Sequence, residues 1–166
     1  MIRTDVFEAI NGVVDPELAG VTIGQLGLVH RMEECATTGQ VQVELVPTFL
    51  GCPALAVIAS DVERAAINAG ASSCVVRFVT TVAWTPDRIS VAGRRQLQAL
   101  GIGVSGTGVS GTGVAGCCPD CGSPDVAIKS PVGATACRAL AWCGSCRTPV
   151  ELMRRPLPRD HARPDH

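Results

Sequence analysis

A chain of 166 residues has room for one domain of ordinary size and a small module, and it carries a formal net charge of −1 with three Phe, two Trp and no Tyr. That balance argues against a nucleic-acid surface, which needs basic stripes and stacking rings. No stretch approaches the roughly 18 apolar residues of a membrane span and the opening MIRTDVFEAINGVVDPE lacks a signal-peptide core, so a cytoplasmic protein without membrane contact is expected. Thiols stay reduced there, and the nine cysteines read as metal ligands or reactive thiols before they read as disulfides.

TDVFEAINGVV spaces Val6, Ile10 and Val13 or Val14 at helical intervals, with Thr4 or Asp5 as a cap. LVHRMEE and GQVQVELVP then read as two strands of a hairpin, because Val41, Val43 and Leu45 alternate with polar residues. CPALAVIASDVERAAINAG is the clearest helix, with a face of Leu55, Ile58 or Ala59, Val62, Ala65 or Ala66 and Ala69, and Gly70 as its stop. SSCVVRFVTTV returns as a third strand, and DRISVAGRRQLQALG predicts a last helix ending at Gly101. The order α-β-β-α-β-α over residues 1–101 predicts a small two-layer α+β domain.

Residues 102–116, with GVSGT occurring twice from Gly103, read as a Gly/Ser/Thr linker. As a flexible coil it would span about 22 Å and leave the orientation of its neighbours open. Residues 117–150 form the second module, and the Pro- and Arg-containing stretch 151–166 reads as a disordered tail.

The second module holds six of the nine cysteines, and Cys118-Pro-Asp-Cys121 and Cys143-Gly-Ser-Cys146 stand 21 residues apart. A two-residue gap lets a tight turn aim both sulfurs at one ion, so these four are assigned as metal ligands of a zinc ribbon. Four thiolates also suit iron; the paired-knuckle spacing favours zinc. Cys137 has a possible place on the ribbon's second strand close to the metal, and it, Cys117, Cys35 and Cys74 read equally or better as ordinary small residues, with their roles left open.

In the first domain PTFLGCPAL sets Cys52 before Pro53, at or next to a helix N-cap. Free N–H groups there would favour a thiolate; a packed, inert thiol fits the same position. Asp15-Pro16-Glu17 is read first as a turn, with the alternative that its carboxylates face a site.

Four segments, DPELAGVTIGQLGLV, VELVPTFLGCPALAVIASDV, VAWTPDRISVAGRRQLQALGI and CPDCGSPDVAIKSPVGATACRALAWCGSC, together resemble the PaaD family, accessory subunits of the phenylacetyl-CoA ring epoxidase of bacterial phenylacetate degradation. The first domain is similar to the metal-sulfur cluster assembly domain. The resemblance implies a functional region containing Asp15, Glu17, Thr48 and Cys52, with Cys52 handling iron or a transient iron-sulfur cluster. It also implies a metal at Cys118, Cys121, Cys143 and Cys146, and partners among the protein components of the epoxidase complex. Gln25 stands where an acidic residue is usual in the family.

The leading expectation is a maturation or assembly factor that is not itself catalytic. One thiol cannot hold a cluster, so a homodimer or a site shared with a client is expected. The alternative is a structural subunit of the multicomponent oxygenase, with zinc stabilising an interaction surface and Cys52 packed. An enzyme is the least favoured reading, because no cofactor motif or acid-base pair is visible.

Overall fold

The computed structural model describes residues 2–105 and 116–155. The first domain runs α1 (Thr4–Asn11), β1 (Val29–Glu34), β2 (Gln40–Leu45), α2 (Ala54–Asn68), β3 (Ser73–Phe78) and α3 (Val91–Ala99), the α+β order expected from periodicity. β1 and β2 form the antiparallel hairpin, and β3 lies parallel to β2 after the α2 crossover, giving sheet order β1-β2-β3. Alternation does what the hairpin requires: Val41, Val43 and Leu45 of β2 are all buried. Gly70 takes φ +93° after α2, the left-handed stop its position predicts.

Two details differ from the sequence reading. The buried face of α2 is Ala54, Ile58, Val62 and Ala66, so it begins one residue before Leu55. The last helix starts at Val91, where the Ser90 side chain accepts from the Gly93 N–H at 3.0 Å; residues 86–88 form a separate single 3-10 turn. Between them Trp84 is fully buried and its indole N–H donates to the Leu26 carbonyl at 2.9 Å, pinning the long loop after α1 to the core.

That loop is built like a helix start. Thr22 Oγ1 accepts from the Gln25 N–H and Gln25 Oε1 accepts from the Thr22 N–H, the reciprocal capping box. A glutamine does this as well as a glutamate, so the exchange at Gln25 costs the loop no structure.

The second sheet has order β4-β7-β6-β5, from β4 (Ile102–Val104), β5 (Val126–Ser130), β6 (Arg138–Cys143) and β7 (Pro149–Met153). β4 lies where the linker reading begins, and β7 runs into the stretch read as a tail. β4 pairs parallel to β7, placing Ile102 opposite Glu151 and Val104 opposite Met153. The rest of the linker, 106–115, and the tail from 156 onward lie outside the described residues.

The pairing changes the expected relation of the two modules. Met153 and Ile102 are buried in the same apolar cluster as Ile10, Leu45 and Val62, and Val104 and Cys137 pack against that cluster. The ribbon keeps only a small core of its own, chiefly Val126, Ala141, Val150 and Leu152 between the cysteines. Polar contacts cross the same seam: Arg155 pairs with Asp87 at 2.7 Å, and Gln98 Nε2 donates to the Pro119 carbonyl at 3.3 Å. The modules are therefore docked, and a free tether with open orientation is not what the structure shows. A ribbon of about 30 residues cannot bury enough surface alone, so its apolar residues are completed by the neighbouring domain.

Candidate functional site

The ribbon's four predicted ligands converge. The sulfurs of Cys118, Cys121, Cys143 and Cys146 all lie within 4.8 Å of one another. Cys118 and Cys146 are 3.7 Å apart, and Cys121 and Cys143 are 3.6 Å apart. A tetrahedral ion with metal-sulfur bonds of about 2.3 Å needs sulfur-sulfur edges of about 3.8 Å, so the group fits one ion at its centre. A cluster of several irons would need its thiolates spread more widely around a larger body.

Local turns make this geometry. Gly122 takes φ +72° after the first pair, and its N–H donates to the Cys118 carbonyl at 2.9 Å. Arg147 takes φ 57° after the second pair, and Cys143 N–H bonds the Thr148 carbonyl at 3.0 Å. The crowded sulfurs also titrate unequally. A hydrogen bond from Thr148, assisted by Cys143, brings Cys146 down to about 7. At Cys121 the Ser123 N–H favours the thiolate, yet local desolvation and the three neighbouring sulfurs push it up to about 12. A cation removes that conflict, because it favours all four thiolates at once.

Cys52 sits just before α2. Its N–H donates to the Phe49 carbonyl at 3.2 Å, and Pro53 stands at the helix N-cap with φ −65°. It borders a cavity of about 340 Å³ between the two modules. Glu17, Phe49 and Pro53 line it from the first domain; Thr135, Ala136 and Cys137 line it from the ribbon. Larger clefts of about 420 Å³ beside Cys35 and about 520 Å³ against the outer ribbon face hold at most one thiol.

The cavity changes the chemistry expected of Cys52. The Ala54 N–H favours its thiolate, as the helix-start argument requires, but burial outweighs that and pushes the thiol up, with the negative potential of Cys137, Asp15 and Glu17 adding to it. Asp15 is only 8% exposed, and its carboxyl is also pushed up, chiefly by burial, despite the Glu17 N–H donating to Oδ1 at 2.8 Å. In contrast the exposed Cys35 is brought down to about 6 by the hydroxyls of Thr37 and Thr38.

Of the residues assigned to the first-domain region, Cys52 and Glu17 line the cavity and Asp15 acts on it through charge. Thr48 is half-buried in the bend after β2 and does not line it. Of the two places the sequence leaves open for Cys137, the structure has it away from the ribbon metal. It precedes β6, six residues from Cys143 at the far end of the strand, or about 20 Å along it, and faces the first domain instead of the ribbon metal. Its sulfur lies 3.1 Å from Thr135 Oγ1. No local motif marks Cys137, because its significance depends on the docking of two modules.

Comparison with known proteins follows this division. Residues 3–76 match the family model described as iron-sulfur cluster assembly protein, and residues 105–154 match the PaaD zinc beta ribbon domain. The two matches lie in the same order as the two modules of the chain. A relative from Escherichia coli (strain K12), provisionally named as a component of 1,2-phenylacetyl-CoA epoxidase, is 28% identical over 152 residues, covering 90% of this chain and 91% of its own. The first domain is also similar to a crystal structure from Bacillus anthracis titled domain of unknown function DUF59, at 29% identity and TM-score 0.51, over 55% of this chain and 87% of that one. A conserved hypothetical protein from Thermotoga maritima is 31% identical with TM-score 0.49, over 58% of this chain and 94% of that one. Among the described residues, no helix is long and apolar enough to cross a membrane.

Proposed function

We propose that this protein is an accessory factor of a phenylacetyl-CoA epoxidase system, and that it matures a component of that system by handling iron or an iron-sulfur cluster at Cys52. The observation that carries the reading is the position of Cys52: in a domain of the cluster-assembly family, this thiol borders a cavity beside two carboxylates. A thiol with only a packing role is better sealed in the core than placed at a cavity wall.

The ribbon serves this function as a docking module held together by zinc at Cys118, Cys121, Cys143 and Cys146. Its thiolate-only, closed tetrahedron suits a structural ion that leaves no position for substrate. Alternation along β6 turns Leu140 and Trp142 outward while Ala139, Ala141 and Cys143 face in. These side chains offer an apolar face to a component of the epoxidase complex.

The test is Cys52→Ser in cells that depend on the epoxidase. The variant is expected to fold and keep its zinc, while the epoxidase loses iron and ring-epoxidising activity. Full iron loading and activity with Cys52→Ser would defeat the maturation reading. Recovery of the chain at fixed stoichiometry with the active epoxidase would then favour a structural subunit.

A further inference from the structure

The maturation reading leaves a coordination problem, because one cysteine offers one thiolate and a soft metal held by protein needs more. A second protomer or a client could supply the missing ligand. The docked ribbon offers one within the same chain.

Cys52 and Cys137 are 85 residues apart in sequence, yet both line the cavity between the modules, and both pack against the first-domain core. Cys137 is held there from two sides. The Arg154 N–H donates to the Cys137 carbonyl at 3.3 Å, and Arg154 Nη2 donates to the Ala136 carbonyl at 2.6 Å. On the other side, Arg138 Nε donates to Thr135 Oγ1 at 2.9 Å while Arg138 Nη1 pairs with Glu151 at 2.6 Å. The Arg138–Glu151 pair ties the turn carrying Cys137 to β7, the strand whose Met153 enters the first-domain core. Docking and the position of Cys137 are thus one structural event.

The surroundings favour a cation. Glu17 lines the cavity with both thiols, the charges of Asp15 and Glu17 reach Cys52, and Asp15 is held in a protein interior where an uncompensated negative charge is costly. Arg138, whose charge reaches Asp15, is already paired with Glu151. Soft sulfur donors select iron(II), zinc and copper(I) over magnesium or calcium. Among the described residues, three or more donors within 4.8 Å occur only in the ribbon, so a metal held at the cavity would have positions left for a client's ligands. A cargo site needs that property, since a saturated ion cannot be passed on.

We propose that Cys52 and Cys137 together form an intramolecular two-thiolate site for a thiophilic divalent metal, iron(II) as cargo, assembled only when the ribbon is docked. This rests on the maturation reading and sharpens it: on binding, both thiols release their protons to solvent, and the two thiolates take the metal and balance its two positive charges. No second copy of the chain is needed.

Cobalt(II) tests the proposal, because its sulfur-to-metal charge-transfer absorbance grows with the number of thiolates bound. The full-length protein is first loaded with one zinc, which the ribbon keeps because zinc binds such sites more tightly than cobalt. Anaerobic cobalt titration is then expected to fill one further site per monomer. Cys52→Ser and Cys137→Ser should each remove about half of the charge-transfer absorbance, and the double variant all of it, with zinc content and circular dichroism unchanged. Cobalt that binds with undiminished absorbance in Cys137→Ser but not in Cys52→Ser would overturn this inference and leave the role of Cys52 standing. Absorbance unchanged in both variants would overturn both readings.

Should Cys137→Ser fail to fold, the wild type decides. Cobalt must then slow iodoacetamide alkylation of Cys52 and Cys137 together, read by peptide mass spectrometry; Cys137 alkylating at one rate with and without cobalt would overturn the proposal.

Discussion

The two thiol centres of this protein differ in how complete they are. In the ribbon, two tight turns bring four sulfurs within 4.8 Å, and each turn is encoded by a few consecutive residues. Around Cys52 the donors come from the loop after α1, the start of α2 and the turn before β6, and only docking brings them together. A closed tetrahedron suits an ion that stays, and an open, partly desolvated pair of thiols suits an ion that leaves. The difference teaches that cysteine count is a weaker guide to role than whether the donors saturate a metal.

The largest effect is expected from breaking the closed centre. Cys143→Ser removes a fully buried ligand, and structural zinc sites of this type contribute apparent binding free energies of ~10–16 kcal/mol. Loss of stoichiometric zinc and of dispersed ribbon amide signals in NMR is expected, with α1, α2 and β1–β3 retained. A ribbon that stays folded without zinc would remove the contrast between the two centres.

Next comes the seam that creates the open centre. Met153→Ala deletes a fully buried side chain of the first-domain core and is expected to cost about 2–5 kcal/mol in denaturant unfolding. A merely tethered ribbon would predict almost no change in the first domain's transition. The same variant should lose cobalt binding at Cys52 while keeping zinc, because all four zinc ligands lie within the ribbon whereas the composite site needs both modules in place.

The smallest effect concerns Asp15, whose carboxyl is pushed above its ordinary value of 3.8 chiefly by burial. The folded state then binds its proton more tightly than the unfolded state does. Its contribution to stability is full below the ordinary value and is lost as pH rises through the raised one. Asp15→Asn keeps an oxygen to accept from the Glu17 N–H and removes the buried charge. The metal-free thermal midpoint should therefore rise slightly at pH 7, and the gain should shrink as pH falls toward the ordinary carboxylate range. In the presence of cobalt the sign should reverse, since the carboxylate then faces a cation.

Much of this was legible in the residues. Alternation in GQVQVEL gave β2, the 3.6-residue spacing of Ile58, Val62 and Ala66 gave α2, and two Cys-x-x-Cys pairs gave the ribbon's metal group. Each of these signals is periodic or lies within one turn, so the chain states it locally. The start of α3 was blurred because Ile89 has the apolar spacing of a helix while its backbone is extended, and only the Ser90 cap separates them.

By itself, then, the sequence determined the element order of residues 1–101, the four-sulfur group and the thiol at the entrance to α2. Tertiary structure alone decided that β4 and β7 join the modules, that Cys52 is desolvated and pushed up instead of activated by the helix start, and that Cys137 meets it across the seam. The reason is range. Turn geometry and periodicity act over a few residues, whereas burial and the charges of Cys137, Asp15 and Glu17 reach Cys52 only after the chain has folded both modules onto one core.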